Sequence, residues 1–257
     1  MKTKLIVLLA LTFVVSCSNK KQSRDHIITT VNSSPDTAKP VIITSLKTEA
    51  YPAIFQAAFS IDTKVHQEDE TYNFSMLDIG KLKIECGKLI ACDPIVMKDA
   101  TPFTQQFPIG EYPVYLAIAK TQDDKRVAFS RVVFSDETIV KWEFALQKGQ
   151  QPIPLKDSSC YCYGVDAGIG IFIDSTSNSI FNKKVHSEWE RAFVAKAERY
   201  ENKGYIHAFD GHNLAAFSTG YGDGCYATYI GFDNKGRVCQ LLTDFGLVEW
   251  WKLDEKK

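Results

Sequence analysis

Five aspartates stand at the ends of apolar runs or within glycine-rich turns: Asp93, Asp166, Asp174, Asp223 and Asp244. Two of the settings are alike. Asp166 lies in Gly164-Val165-Asp166-Ala167-Gly168-Ile169-Gly170, which runs on to Asp174, and Asp223 lies in Gly220-Tyr221-Gly222-Asp223-Gly224. Carboxylates that converge from two turns offer hard oxygen ligands to a divalent cation, and such an ion can activate water for hydrolysis. His186, His207 and His212 could add a ligand or carry a proton. The competing reading is structural: an aspartate beside a turn caps nearby backbone N–H groups. That reading applies with most force to Asp93 and Asp244. The candidate ligand site is therefore Asp166, Gly168, Gly170, Asp174, Gly222, Asp223 and Gly224, with Asp93 and Asp244 as weaker candidates. A divalent cation is a conceivable cofactor, and no catalytic residue is singled out. The chain has no G-x-S-x-G elbow.

For Asp166 and Asp223 to work together, their turns must meet at one end of a sheet. The surrounding residues are of strand type. Leu82–Cys86 alternates, Gly87-Lys88 reads as a hairpin turn, and Leu89–Cys92 reads as the returning strand. Strands are expected over 112–118, 126–134, 161–173, 211–218, 226–232 and 237–243, with the turn Asp233-Asn234-Lys235-Gly236 between the last two. Residues 51–61 fit a strand or a short helix, 62–73 a charged loop, and 138–146 either element. His207 and His212, which flank Asp210-Gly211, both read as surface-loop residues. One helix is expected over about 188–201, capped by Ser187 with Glu190 three residues on. The fold class is α+β, mainly antiparallel sheet with that one principal helix. Leu247 to Leu253, with Trp250-Trp251, should close against the core. Tyrosines and tryptophans near the Gly-Asp-Gly turn could form a recognition surface for a protein, peptide or glycan.

The start of the chain reads as an export signal. Lys2 and Lys4 precede an apolar run, Leu5 to Val15, of signal-peptide length and too short to span a bilayer. Val14-Val15-Ser16-Cys17 resembles the lipobox of bacterial lipoproteins. That resemblance implies cleavage after residue 16 and lipid on Cys17, hence a cell-envelope protein anchored to a membrane. Residues 17–45 read as the lipidated cysteine and a polar tether reaching roughly 25–30 Å, with Val41–Thr44 as an alternative edge strand. Residues 46–257 then form one β-rich domain. The formal net charge of −1 falls further once Lys2 and Lys4 leave, and no basic patch appears, which argues against nucleic acid.

Export permits disulfides. Strand parity disfavours Cys86–Cys92 and Cys225–Cys239, and a bond between Cys160 and Cys162 would be strained. A metal site on Cys160 and Cys162 lacks a second ligand pair.

Six motifs in order complete the reading. They are Ala91-Cys92-Asp93-Pro94, Pro108-Ile109-Gly110-Glu111-Tyr112-Pro113-Val114, Trp142-Glu143-Phe144-Ala145, Val165–Gly170, Gly222–Tyr226 and Thr243-Asp244-Phe245. Together, over roughly Gly80 to Gly246, they resemble a bacterial family known only as a domain of unknown function, numbered 4241. The resemblance carries no activity, cofactor or catalytic residue. The expected function is a membrane-anchored binding domain, with a metal-dependent hydrolase at Asp166/Asp223 or a purely architectural envelope protein as alternatives.

Overall fold

A computed structural model describes residues 52–156, 159–184 and 203–252, and the backbone of residues 42–43. The chain forms β1 (Ile42–Ile43), α1 (Ile54–Ala57), β2 (Lys64–Gln67), β3 (Glu70–Ile84), β4 (Leu89–Cys92), β5 (Gly110–Lys120), β6 (Lys125–Val133), β7 (Lys141–Phe144), β8 (Cys162–Val165), β9 (Ile169–Asp174), α2 (Ser175–Lys184), β10 (Gly204–Phe209), β11 (His212–Ser218), β12 (Gly224–Phe232) and β13 (Val238–Asp244). The larger sheet runs β1-β2-β3-β5-β6-β13-β12-β7, with β8 also paired to β12. The smaller runs β10-β11-β9-β4. Every pairing is antiparallel except β1 with β2. The fold is thus α+β and dominated by antiparallel sheet.

Strand parity explains how the sheets stack. In β9 and β11, Phe172, Ala215 and Phe217 face the larger sheet and join a core with Leu82, Ile84, Val114 and Leu116. Ile169, Ile171, Ile173, Leu214 and Ala216 face the other way, onto Phe181 of α2 and Met97. Both faces of β9 are covered, so its residues are buried without alternation. On the far side of the larger sheet, α1 has only four residues and no side-chain cap. Tertiary packing must hold so short a helix. Phe55 supplies it, with ring centroids 5.8 Å from Phe129, 5.2 Å from Trp142, 4.9 Å from Tyr229 and 5.4 Å from Trp250.

Several expectations hold. Residues 233–236 turn between β12 and β13, β1 lies at the edge of its sheet, and Trp250 is buried, although Trp251 is exposed. Others need correction. Gly87-Lys88 is not a hairpin turn: it carries the chain from β3 in one sheet to β4 in the other. Asp174 holds this crossover, accepting hydrogen bonds from the N–H of Glu85 (3.2 Å) and Cys86 (3.1 Å). Residues 62–73, read as a loop, contain β2 and the start of β3. His207 and His212 lie in β10 and β11, and only Asp210-Gly211 between them turns. The helix expected over 188–201 and its cap at Ser187 lie outside the described residues, as do His186, Cys17 and the signal and tether apart from residues 42–43. A helix that was not foreseen, α2, follows β9 directly, and Asp174 Oδ1 accepts from Thr176 N–H at 2.8 Å as its N-terminal cap.

Candidate functional site

The Asp166 and Asp223 turns are neighbours because β8 pairs with β12. Val165 and Gly224 are register partners, and Asp166 follows the first while Asp223 precedes the second. Thr219 N–H donates to Gly168 O at 3.2 Å, joining the turns again. Gly168 has φ +62°, a left-handed conformation that suits glycine, and a Cβ on it would stand 3.6 Å from Gly222 Cα. Gly170 serves close approach instead: a Cβ there would come within 2.7 Å of the Phe217 ring and 2.9 Å of the Tyr163 hydroxyl. Gly222 lies in the 219–223 turn. Gly224 opens β12 against the ring of Tyr226.

Asp93 fixes the first turn from outside it. The side chain is buried, and Oδ2 accepts from the N–H of Asp166 (2.7 Å) and Ala167 (2.8 Å), while Oδ1 accepts from Ile95 N–H (2.6 Å). Hydrogen bonds to an ionised acceptor are roughly twice as strong as neutral ones. The second turn is held by Tyr226, whose hydroxyl donates to Gly222 O at 2.7 Å, and by Thr219 Oγ1, which donates to the same oxygen at 2.8 Å. A disulfide from Cys162 in β8 to Cys225 in β12, Cα atoms 5.4 Å apart, locks the strands beneath both turns. It also removes Cys162 from any metal site with Cys160. A signal for this bond was present, since each cysteine stands a few residues from one of the two turns expected to meet.

The five acids therefore separate. Asp166 and Asp223 are exposed, and neither makes a side-chain hydrogen bond or ion pair among the described residues. Asp93 and Asp174 are consumed by backbone N–H groups. Asp244 is buried at the end of β13, with Oδ1 accepting from Gly246 N–H and Oδ2 from Trp250 Nε1, each at 2.8 Å. Burial pushes its carboxyl up to about 6 against those two hydrogen bonds. Among the described residues, no three His, Cys, Asp or Glu side chains are placed to hold a metal ion. His212 is engaged elsewhere, with Nδ1 2.5 Å from Glu85 Oε2. Burial would raise Glu85, but Lys83, His212 and Ser177 outweigh it and hold the carboxyl below its ordinary value.

Beside the second turn stands Tyr221, which is exposed and lies under the guanidinium of Arg126, 4.7 Å from the ring centroid. Arg126 also donates to Gly220 O at 3.3 Å. Sequence reasoning grouped Tyr221 with the other aromatics and gave Arg126 no role.

A family model described as a protein of unknown function, DUF4241, matches residues 82–243, more than half of the chain. The chain belongs to the DUF4241 family. No curated protein matches it, and no solved structure does. The DUF4241 match begins at Leu82 in β3 and ends at Thr243 in β13, so it contains both turns, Asp93 and the disulfide. Residues 54–57, which form α1, fall outside it, although Phe55 packs into the same core as the matched residues.

Proposed function

We propose that this DUF4241 member is an exported protein, anchored to a membrane through lipid on Cys17, whose β domain binds a partner at the Asp166/Asp223 turns. One observation carries the reading. Of five turn-associated acids, three are spent on internal hydrogen bonds, and the two that are exposed and without partners among the described residues are the two whose turns are locked together. Asp93, Tyr226 and the disulfide restrict both backbones, so little order need be gained on binding.

Two exposed carboxylates on adjoining turns suit a partner that presents basic or hydrogen-bond-donating groups, such as a lysine-rich protein segment. The disulfide agrees with export, since such bonds persist in oxidising compartments.

Calorimetric titration of the full chain in detergent with a tetralysine peptide tests the site. Saturable heat that Asp166→Asn/Asp223→Asn loses supports it, and equal heats from the two proteins overturn it. Mass spectrometry of the N-terminal peptide tests the anchor, with acylated Cys17 as the new first residue expected and an uncleaved, unmodified terminus overturning it.

A further inference from the structure

A second surface carries a charge that has no counter-ion among the described residues. Arg131 projects from β6, where it is the register partner of Tyr115 in β5 and of Leu242 in β13. Its guanidinium carbon lies 3.8 Å from the centroid of the Phe59 ring and 5.5 Å from that of Tyr115. Both rings lie within cation–π distance of it, and its N–H groups still need hydrogen-bond partners along the edge of the fork. That edge is poorly served. Nη1 donates to Gln56 Oε1 at 3.3 Å, Nη2 reaches only Met76 Sδ at 3.9 Å, and Nε is buried with no partner. No carboxylate among the described residues pairs with it, and Asp136 acts only through its field.

A desolvated cation without a counter-ion is costly. Cation–π contact with the two rings offsets only part of that cost. Burial pushes the guanidinium down to about 10, so it keeps its proton at neutral pH. A cation that is desolvated, still charged and unpaired marks a binding-site candidate when it lines a concavity.

Arg131 does line one. A groove of about 520 Å³ opens over this face of the larger sheet, a volume within the usual range for small-molecule sites. Met76, Pro113, Val133 and Ile139 give it apolar walls. Gln56 and Gln240, bonded to each other at 3.0 Å, stand beside the guanidinium. Asp136 and Glu137 are exposed and also line the groove; Glu137 is paired with Arg237 at 3.1 Å, and the charge of Asp136 disfavours an anion bearing two charges.

We propose that this groove binds a small monocarboxylate with an aliphatic body, its carboxylate received in bidentate fashion by the Nη1 and Nη2 edge of Arg131. The fork geometry matches a carboxylate, the apolar walls take the chain, and the charge of Asp136 selects against phosphate esters. The site is separate from the Asp166/Asp223 turns and stands or falls independently of them.

The test is calorimetric titration of the full chain with hexanoate, hexanamide and hexyl phosphate. Hexanoate should bind saturably, and the amide and the phosphate at least about tenfold more weakly, a difference of about 1.4 kcal/mol. Arg131→Lys keeps the charge and loses the fork, and should weaken hexanoate by a similar factor. Because Arg131 packs against Phe59 and Tyr115, a second variant is needed. Thr138→Trp adds bulk at an exposed position of the groove lining and keeps Arg131 itself, and should abolish binding while the circular dichroism stays as in wild type. Failure of all three probes to bind, equal affinity for hexanamide, tighter binding of hexyl phosphate, or unchanged hexanoate affinity in Thr138→Trp each overturns the proposal.

Discussion

Burial works against the Asp244 carboxylate, and the consequence is a pH dependence of unusual sign. Its folded value of about 6 lies above the ordinary 3.8, so between these pH values the native state holds more protons than the unfolded chain. Stability therefore falls as pH rises from about 4 to about 6, by on the order of 3 kcal/mol from this group alone. Urea denaturation of wild type and Asp244→Asn at pH 4.5 and 7 should show a smaller difference between the two pH values in the variant. Asp93 should behave differently. Asp93→Ala strands the N–H groups of Asp166 and Ala167, and is expected to cost about 2–4 kcal/mol and to speed amide hydrogen exchange at those two residues. The residue types were readable in advance, and cap-like bonding to a neighbouring turn is what Asp93 and Asp244 show. What the sequence could not reveal is that Asp93 reaches 73 positions along the chain to Asp166. Arg131 was equally hidden. Within Arg126-Val127-Ala128-Phe129-Ser130-Arg131 it looks like an ordinary outward-facing strand residue, and only the assembled sheet shows the missing counter-ion.

Elements whose signals are local were legible, and those defined by distant partners were not. The turn at 233–236 carries its own chemistry, so the β12–β13 hairpin could be read directly. Gly87-Lys88 carries the same kind of signal, yet β3 pairs with β5 and β4 with β9. Turn residues say that the chain bends and not which sheet receives it. Helix α2 escaped because Ser-Thr-Ser-Asn-Ser-Ile-Phe-Asn-Lys-Lys has almost no apolar face, and Phe181 is its one fully buried large side chain. Two predictions belong at this scale. Phe55→Ala removes the ring on which α1 depends and should cost about 3–5 kcal/mol in a chemical denaturation series. The Cys162–Cys225 bond closes a loop of 63 residues. Cys162→Ser/Cys225→Ser should lose up to about 4 kcal/mol, and reductant should lower the Tm of wild type while leaving that of the variant unchanged.

At the scale of the whole molecule the two sheets share one core, since Phe172 and Phe217 of the smaller pack with Leu82, Ile84 and Leu116 of the larger. Tryptophan emission, to which the buried Trp142 and Trp250 near the larger sheet contribute, and far-ultraviolet circular dichroism should therefore report one coincident unfolding transition. Separate midpoints would show that the sheets melt independently. The outer rims of the larger sheet have a further consequence. One rim ends in the two residues of β1, and along the other, β12 is flanked by two four-residue strands, β8 and β7, placed end to end. Among the described residues the second rim presents no long flat ladder of free peptide groups, and on the first, where β2 pairs only Glu70–Asn73 of β3, a bulge at Asp78–Gly80 bends the exposed length of β3 away from a flat stacking edge. Where many copies crowd together, as on the bilayer surface proposed for this protein, this stepped border is a built-in guard against fibril-like growth.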